Sequence, residues 1–149
     1  MKLELLCEME LAYTPSLFGE KFILEQPYGT EEGSGFGDLE GSVKGGRVTG
    51  KVRLTNHPHR RSDGVMLPNG HGVIRTDDEG IVLFTLQGRT VFVGEQGRQL
   101  LAATFESSDE RYKWLNNTFC VLEGAFDPPT MSMRARCSSS SRKACWRST

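Results

Sequence analysis

The sequence predicts an all-β fold, a single antiparallel β-barrel of about eight or nine strands with one short helix closing an end. Three observations carry this expectation. Apolar and polar residues alternate with a period of two along most of the chain, as they do when successive side chains of a strand point to opposite faces. Many of the 17 glycines fall at turns or inside alternating runs, as at Gly41 and Gly50, where they let a sheet curl. Only residues 108–116 carry a well-marked helix start.

In "LELLCEMELAY", Leu3, Leu5, Cys7, Met9, Leu11 and Tyr13 fall on one face and Lys2, Glu4, Glu8 and Glu10 on the other, with Leu6 out of step. Thr14-Pro15-Ser16 ends this first strand. Residues 21–26 offer a second, and "PYGTEEGSGFG" reads as a polar, glycine-rich loop. Leu39 and Val43 then alternate with Glu40 and Ser42, and Val48, Val52 and Leu54 with Arg47, Thr49, Lys51 and Arg53. "KGG" between these runs is a hairpin signal, because glycine takes the positive φ of tight turns. Further strands are expected at 70–76, 80–87, 90–94, 100–105 and 118–126, with "TDDEG" and "LQGR" as turns.

Two stretches read as helical, 95–101 weakly and 108–116 more strongly. For the latter, Ser107 caps the start, Glu110 returns the bond, and Asn116 or Asn117 ends it. "MSMRAR" can begin a last strand, so the barrel domain is placed at 1–136. "CSSSSRKACWRST" has no alternation, and 137–149 is expected to be a disordered or aberrant tail.

Composition narrows the function. The 149 residues fit one domain, and 18 Lys and Arg against 19 Asp and Glu leave no basic excess for nucleic acid. The longest apolar run, "GIVLFTLQG", is strand-sized, so no membrane partner is expected. The acidic, alternating start is unlike a secretory signal, which places the protein in the cytoplasm. Cys7, Cys120, Cys137 and Cys145 have no paired spacing, and Cys7 and Cys120 read as small buried apolar residues. No phosphate-binding or dinucleotide fingerprint occurs, since Gly33-x-Gly35-x-Gly37 precedes no helical pattern, and no cofactor is expected.

"GSGFGDLEGSVKGG", "RSDGVMLPNGHGVIRTDDEGIVLF" and "DERYKWLNNTFCVLEGAF" together resemble the bacterial family called domain of unknown function 3237. The resemblance spans most of residues 1–126, and its most specific part is Tyr112–Trp114–Leu115–Asn116. It implies a small barrel of the lipocalin-like or allene-oxide-cyclase-like kind, and it implies no established activity. The chain departs from the family pattern in lacking a Trp after the Gly-Gly hairpin and in reading Asn69-Gly70-His71-Gly72.

Candidate functional residues fall in two groups. His57, His59, Asp63, Asn69 and His71 form a polar cluster, in which His57, His59 and His71 are of a type that binds zinc, iron or manganese. Pro58 interrupts the strand that would aim His57 and His59 together, so no metal is assigned. Asn69, His71, Val73 and Arg75 share one strand face; if it points inward, Asn69 and His71 bind a ligand, and His71 is the candidate catalytic proton carrier. In the second group, Tyr112, Trp114 and Asn116 offer an apolar wall and an oriented amide at one end of a cavity. Phe119 and Val121 oppose Cys120 and Leu122, a strand apolar on both faces, which points to a homodimer. The expected function is therefore binding of a small organic molecule in a mostly apolar cavity. The alternatives are a cofactor-free isomerase, cyclase or lyase on an aromatic or polyketide-like substrate, and a metal-dependent enzyme using the histidines.

Overall fold

The computed structural model describes residues 2–140. Its strands are β1 (Leu3–Thr14), β2 (Ile23–Glu25), β3 (Gly33–Lys44), β4 (Gly50–Asn56), β5 (His59–Arg60), β6 (Met66–Leu67), β7 (Asn69–Thr76), β8 (Ile81–Val93), β9 (Gln96–Glu106), β10 (Phe119–Asp127) and β11 (Ser132–Ser140). Eight of them close an antiparallel barrel in the order β1-β3-β4-β7-β8-β9-β10-β11, with β11 returning to β1. The short β2, β5 and β6 form a flap at one end, where β2 and β5 pair with β3 and β6 with β8.

Alternation decides what fills the barrel. Met9, Leu11, Leu39, Val43, Val52, Leu54, Ile74, Val82, Phe84, Leu86, Leu101, Ala103, Leu122, Ala135 and Cys137 all point inward and are at most 4% exposed. The lumen is packed solid toward the end where β1 begins and β9 finishes. Cys7, Cys120 and Cys137 lie there as free, buried thiols, Cys7 opposite Cys137 in the β1–β11 register. Hydrogen bonds to Cys120 and Cys7, and then burial, hold the Cys137 thiol pKa well above its ordinary value.

Several sequence expectations are corrected. The register shifts between Leu5 and Cys7, so Leu3 and Leu5 face outward while Leu6 and Cys7 are both buried. A one-residue bulge flips side-chain parity, which is why Leu6 broke the alternation. The expected strands 80–87 and 90–94 are one strand, β8: Gly88 lies in mid-strand with φ +156, and the chain runs through "LQGR" without turning. The turn is at Gly94, φ +64, and 96–101 is strand where a helix was expected. The "GSGFG" segment is strand as well, because added Cβ atoms at Gly35 and Gly37 would strike the Phe22 and Tyr13 rings, and glycine leaves room for both.

The expected closing helix is a single 3₁₀ turn, Lys113–Asn117. Ser107 N–H donates to Asn116 Oδ1 at 2.7 Å, and Asn116 Nδ2 donates to the Ser107 carbonyl at 2.9 Å. This pair cinches the segment into a loop too short to repay the cost of nucleating an α-helix. β11 continues to Ser140, past the boundary expected at Arg136, since Cys137–Ser139 pair with both β1 and β10. The rest of the expected tail, 141–149, lies outside the described residues.

Leu122 is fully buried, so Leu122→Ala is expected to cost about 2–5 kcal/mol. Leu83→Ala, on the outer wall at 53% exposure, should stay within about 0.5 kcal/mol. Chemical denaturation of both variants checks the assigned faces.

Candidate functional site

Opposite the packed end, the lumen opens into a cavity of about 300 Å³. Its walls are the inward residues of the barrel strands, among them Leu39, Leu54, Leu86, Leu101 and Met133, and its mouth is framed by the flap. Phe22 and Leu24 come from beside and within β2, Pro58 and Arg60 from the β4–β5 segment, Met66 from β6, and Phe126 and Met131 from the β10–β11 hairpin. The cavity exists because glycine faces it where a larger residue would fill it. At Gly70, a Cβ would stand 2.8 Å from Leu54 Cδ1.

Few polar groups reach this apolar space. Asn56, the last residue of β4, donates through Nδ2 to the Tyr13 hydroxyl at 2.9 Å and accepts from the Asn69 backbone N–H at 3.0 Å. The amide is therefore fixed, and the Tyr13 oxygen has an acceptor role that leaves its own proton free to donate. Burial pushes the Tyr13 pKa above its ordinary value, with the Asn56 bond opposing. Tyr13 also packs edge-on against Phe22 and Phe126, which holds its ring at the mouth.

Arg60 and Gln99 complete the polar set. Arg60 Nη2 pairs with Glu31 Oε2 at 2.5 Å at the rim, while its buried Nε has no hydrogen-bond partner among the described residues. Gln99 Nε2 donates to Thr90 Oγ1 at 3.1 Å, and its buried Oε1 likewise has none. A buried donor or acceptor left unpaired costs about 1–3 kcal/mol, so each such atom calls for a partner.

The residues singled out in the sequence lie elsewhere. On β7 the inward face is Gly70, Gly72, Ile74 and Thr76, so Asn69 and His71 stand on the outer wall. Asn69 Oδ1 accepts there from Gln87 Nε2 at 3.2 Å. His71 borders a shallow outer depression with Arg53, Thr55, Val73, Leu83, Thr85, Thr104 and Glu106. The three histidines do not converge. His57 packs on Phe36 with ring centroids 4.9 Å apart, His59 faces Glu32 at 3.7 Å, and His71 is on the wall. Among the described residues no group of three His, Cys, Asp or Glu is placed to hold a metal ion. Asp63 binds Arg61 in an exposed turn, and that pairing lowers its pKa to about 2.

Tyr112, Trp114 and Asn116 sit at the packed end, far along the barrel from the cavity. Tyr112 is buried, and its hydroxyl donates to Asp78 Oδ1 at 2.7 Å in the β7–β8 turn. The Trp114 ring carries the Arg47 guanidinium, 3.6 Å from its centroid, from the β3–β4 turn. With fully buried Leu115, these contacts lay the 107–118 segment across the barrel end as a structural lid. The cavity residues were harder to foresee, because Tyr13, Asn56, Arg60 and Gln99 come from four separate strands. The one sequence signal was Tyr13, on the inward face of the first alternating run.

No known family profile matches the chain, and no curated protein matches it. Solved structures do. A beta-barrel like protein from Acinetobacter baumannii AYE has 14% identity and a TM-score of 0.79, covering 93% of this chain and 94% of that one. A protein of unknown function from Clostridium acetobutylicum has 19% identity and a TM-score of 0.74, covering 93% and 96%. An enzyme from Penicillium herquei has 20% identity and a TM-score of 0.64, covering 93% and 94%. At these identities the likeness establishes the barrel fold and nothing finer.

Replacing Asn116 by Ala removes both bonds to Ser107 and is expected to cost about 1–3 kcal/mol in denaturation, whereas His71→Ala, exposed, should cost less than about 0.5 kcal/mol. A pH dependence follows from the lid. Asp109 is held near pKa 2, chiefly by the Arg111 guanidinium, and Asp78 is lowered mainly by Thr76 and Tyr112. A depressed folded-state pKa contributes stability that is present above about pH 4 and is lost as the pH falls toward 2. The difference in Tm between the parent and Asp109→Asn should therefore shrink as the pH falls from 6 to 2.5, read by calorimetry.

Proposed function

We propose that the protein binds a small, mainly apolar organic molecule in the open end of its barrel, as a cytoplasmic member of the domain of unknown function 3237 family. The observation that carries this reading is the cavity, an apolar lumen with a few convergent polar groups, which is the ordinary form of a small-molecule site. Three buried free thiols suit a reducing compartment. Diphenylhexatriene, a hydrocarbon that fluoresces out of water, tests the reading. It is expected to bind at one site per chain, and Met66→Trp, which fills the mouth, should weaken it at least about tenfold. Failure of the parent protein to bind this or any other apolar probe would sink the proposal.

Turnover is a second reading, favoured by Tyr13, whose hydroxyl is positioned by Asn56 within an apolar wall and retains a proton to give. That reading is the cofactor-free isomerase, cyclase or lyase, with Tyr13 rather than His71 in the acid role. The Penicillium enzyme supports it only in sharing the barrel. If it holds, Tyr13→Phe abolishes conversion of a bound substrate while leaving its affinity within about threefold.

The homodimer is proposed on the outer wall. Phe119 and Leu100, 58% and 56% exposed, stand with Val121, Leu3 and Leu5 on one outer face of β9, β10 and β1, with Ser138 of β11 between Val121 and Leu5. Arg136 and Glu8 on adjoining rungs give it a rim of both signs, which a two-fold related copy can pair. Phe119→Glu should convert a dimer to a monomer in light scattering.

A further inference from the structure

We infer the chemical class of the ligand, an inference that rests on the lumen being the binding site: a neutral apolar molecule whose polar end carries both a hydrogen-bond acceptor and a donor, as in a carboxamide. The strand register supplies the geometry. Arg60 on β5 lies opposite Met66 on β6, Met66 opposite Thr90 on β8, and Thr90 opposite Gln99 on β9. These four residues form one rung of the wall, and all four line the cavity. Arg60 Nε and Gln99 Oε1, the two buried side-chain atoms without partners among the described residues, thus belong to the same rung.

Each atom specifies its complement. Arg60 Nε–H is a donor and needs an oxygen acceptor. Gln99 Oε1 is an acceptor and needs an N–H or O–H donor, its own Nε2 being occupied by Thr90. The Tyr13 hydroxyl is a further donor lining the same cavity. The rest of the cavity offers carbon: Leu39, Leu54, Leu86, Leu101, Phe92 and Phe126.

Charge selects between a carbonyl and a carboxylate. The Arg60 guanidinium already pairs with Glu31 at the rim, so its charge is balanced before a ligand arrives. A carboxylate entering the lumen would lose its hydration and face Glu31 across a shared guanidinium, with no second cation lining the cavity among the described residues. A neutral carbonyl meets neither cost. It satisfies Arg60 Nε while the ion pair with Glu31 stays in place.

Three naphthalenes of nearly equal size test this on the full chain, by displacement of diphenylhexatriene: 1-naphthylacetamide, 1-naphthylacetate and 1-ethylnaphthalene. The amide is expected to displace the dye at a concentration about tenfold lower than either of the others. Gln99→Leu and Arg60→Met should each reduce that advantage to within about threefold, each displacement being referred to the variant's own affinity for the dye. Gln99→Leu keeps the Arg60–Glu31 pair, so it decides the matter if Arg60→Met fails to fold. Equal displacement by all three compounds, or preference for the carboxylate, overturns the assigned class while the lumen reading stands. No binding of the dye and no heat of binding with any of the naphthalenes overturns the lumen reading, and this inference with it.

Discussion

A closed barrel of eight strands has an interior just wide enough for side chains to fill, and that constraint governs the molecule. Any cavity must be made by omission. At the packed end Phe84, Phe105, Cys120, Cys137 and Leu115 leave no room. At the other end Gly35 and Gly37 leave the space taken by the Phe22 and Tyr13 rings, and Gly70 lines the cavity beside Leu54. The flap of β2, β5 and β6 shelters that opening, so the end with the smallest inward residues carries the added structure.

How much of this was legible in the sequence depended on how local the cause was. Alternation is local, and it revealed β1, β4, β7 and β10 and the barrel as a class. The same rule failed over residues 33–37, where glycines that looked like loop are inward strand positions whose neighbours, Phe22 and Tyr13, lie distant in the chain. It failed at Gly88 for the converse reason, because the glycine of that turn signal sits inside a long strand, where a Cβ would stand 2.2 Å from the Leu100 carbonyl oxygen. The capped helix gave way to the Asn116–Ser107 clasp, a contact between residues nine apart that helix rules do not weigh.

The site was less legible than the fold. His71 drew attention by its chemistry, yet chemistry does not reveal which face of β7 points inward; that is set by Gly70 and Gly72 nesting against Leu54 and Phe84. Trp114 and Tyr112 lie at a barrel end on a 3₁₀ turn in place of the expected closing helix, and that end is the packed one. The cavity's polar groups come from β1, β4, β5 and β9, and only the register joins them.

The bulge between Leu5 and Cys7 separates the first strand into two parts with independent alignment. From Cys7 onward, a slip of one residue would turn the lumen inside out, so that stretch tolerates no change in length. Before Leu6 the chain lies on the outer wall beside Ser138 and Ser140, where such a slip exchanges one surface position for another. The leading residues of this barrel can thus change in length without disturbing the lumen, while the rest of the same strand is held fast.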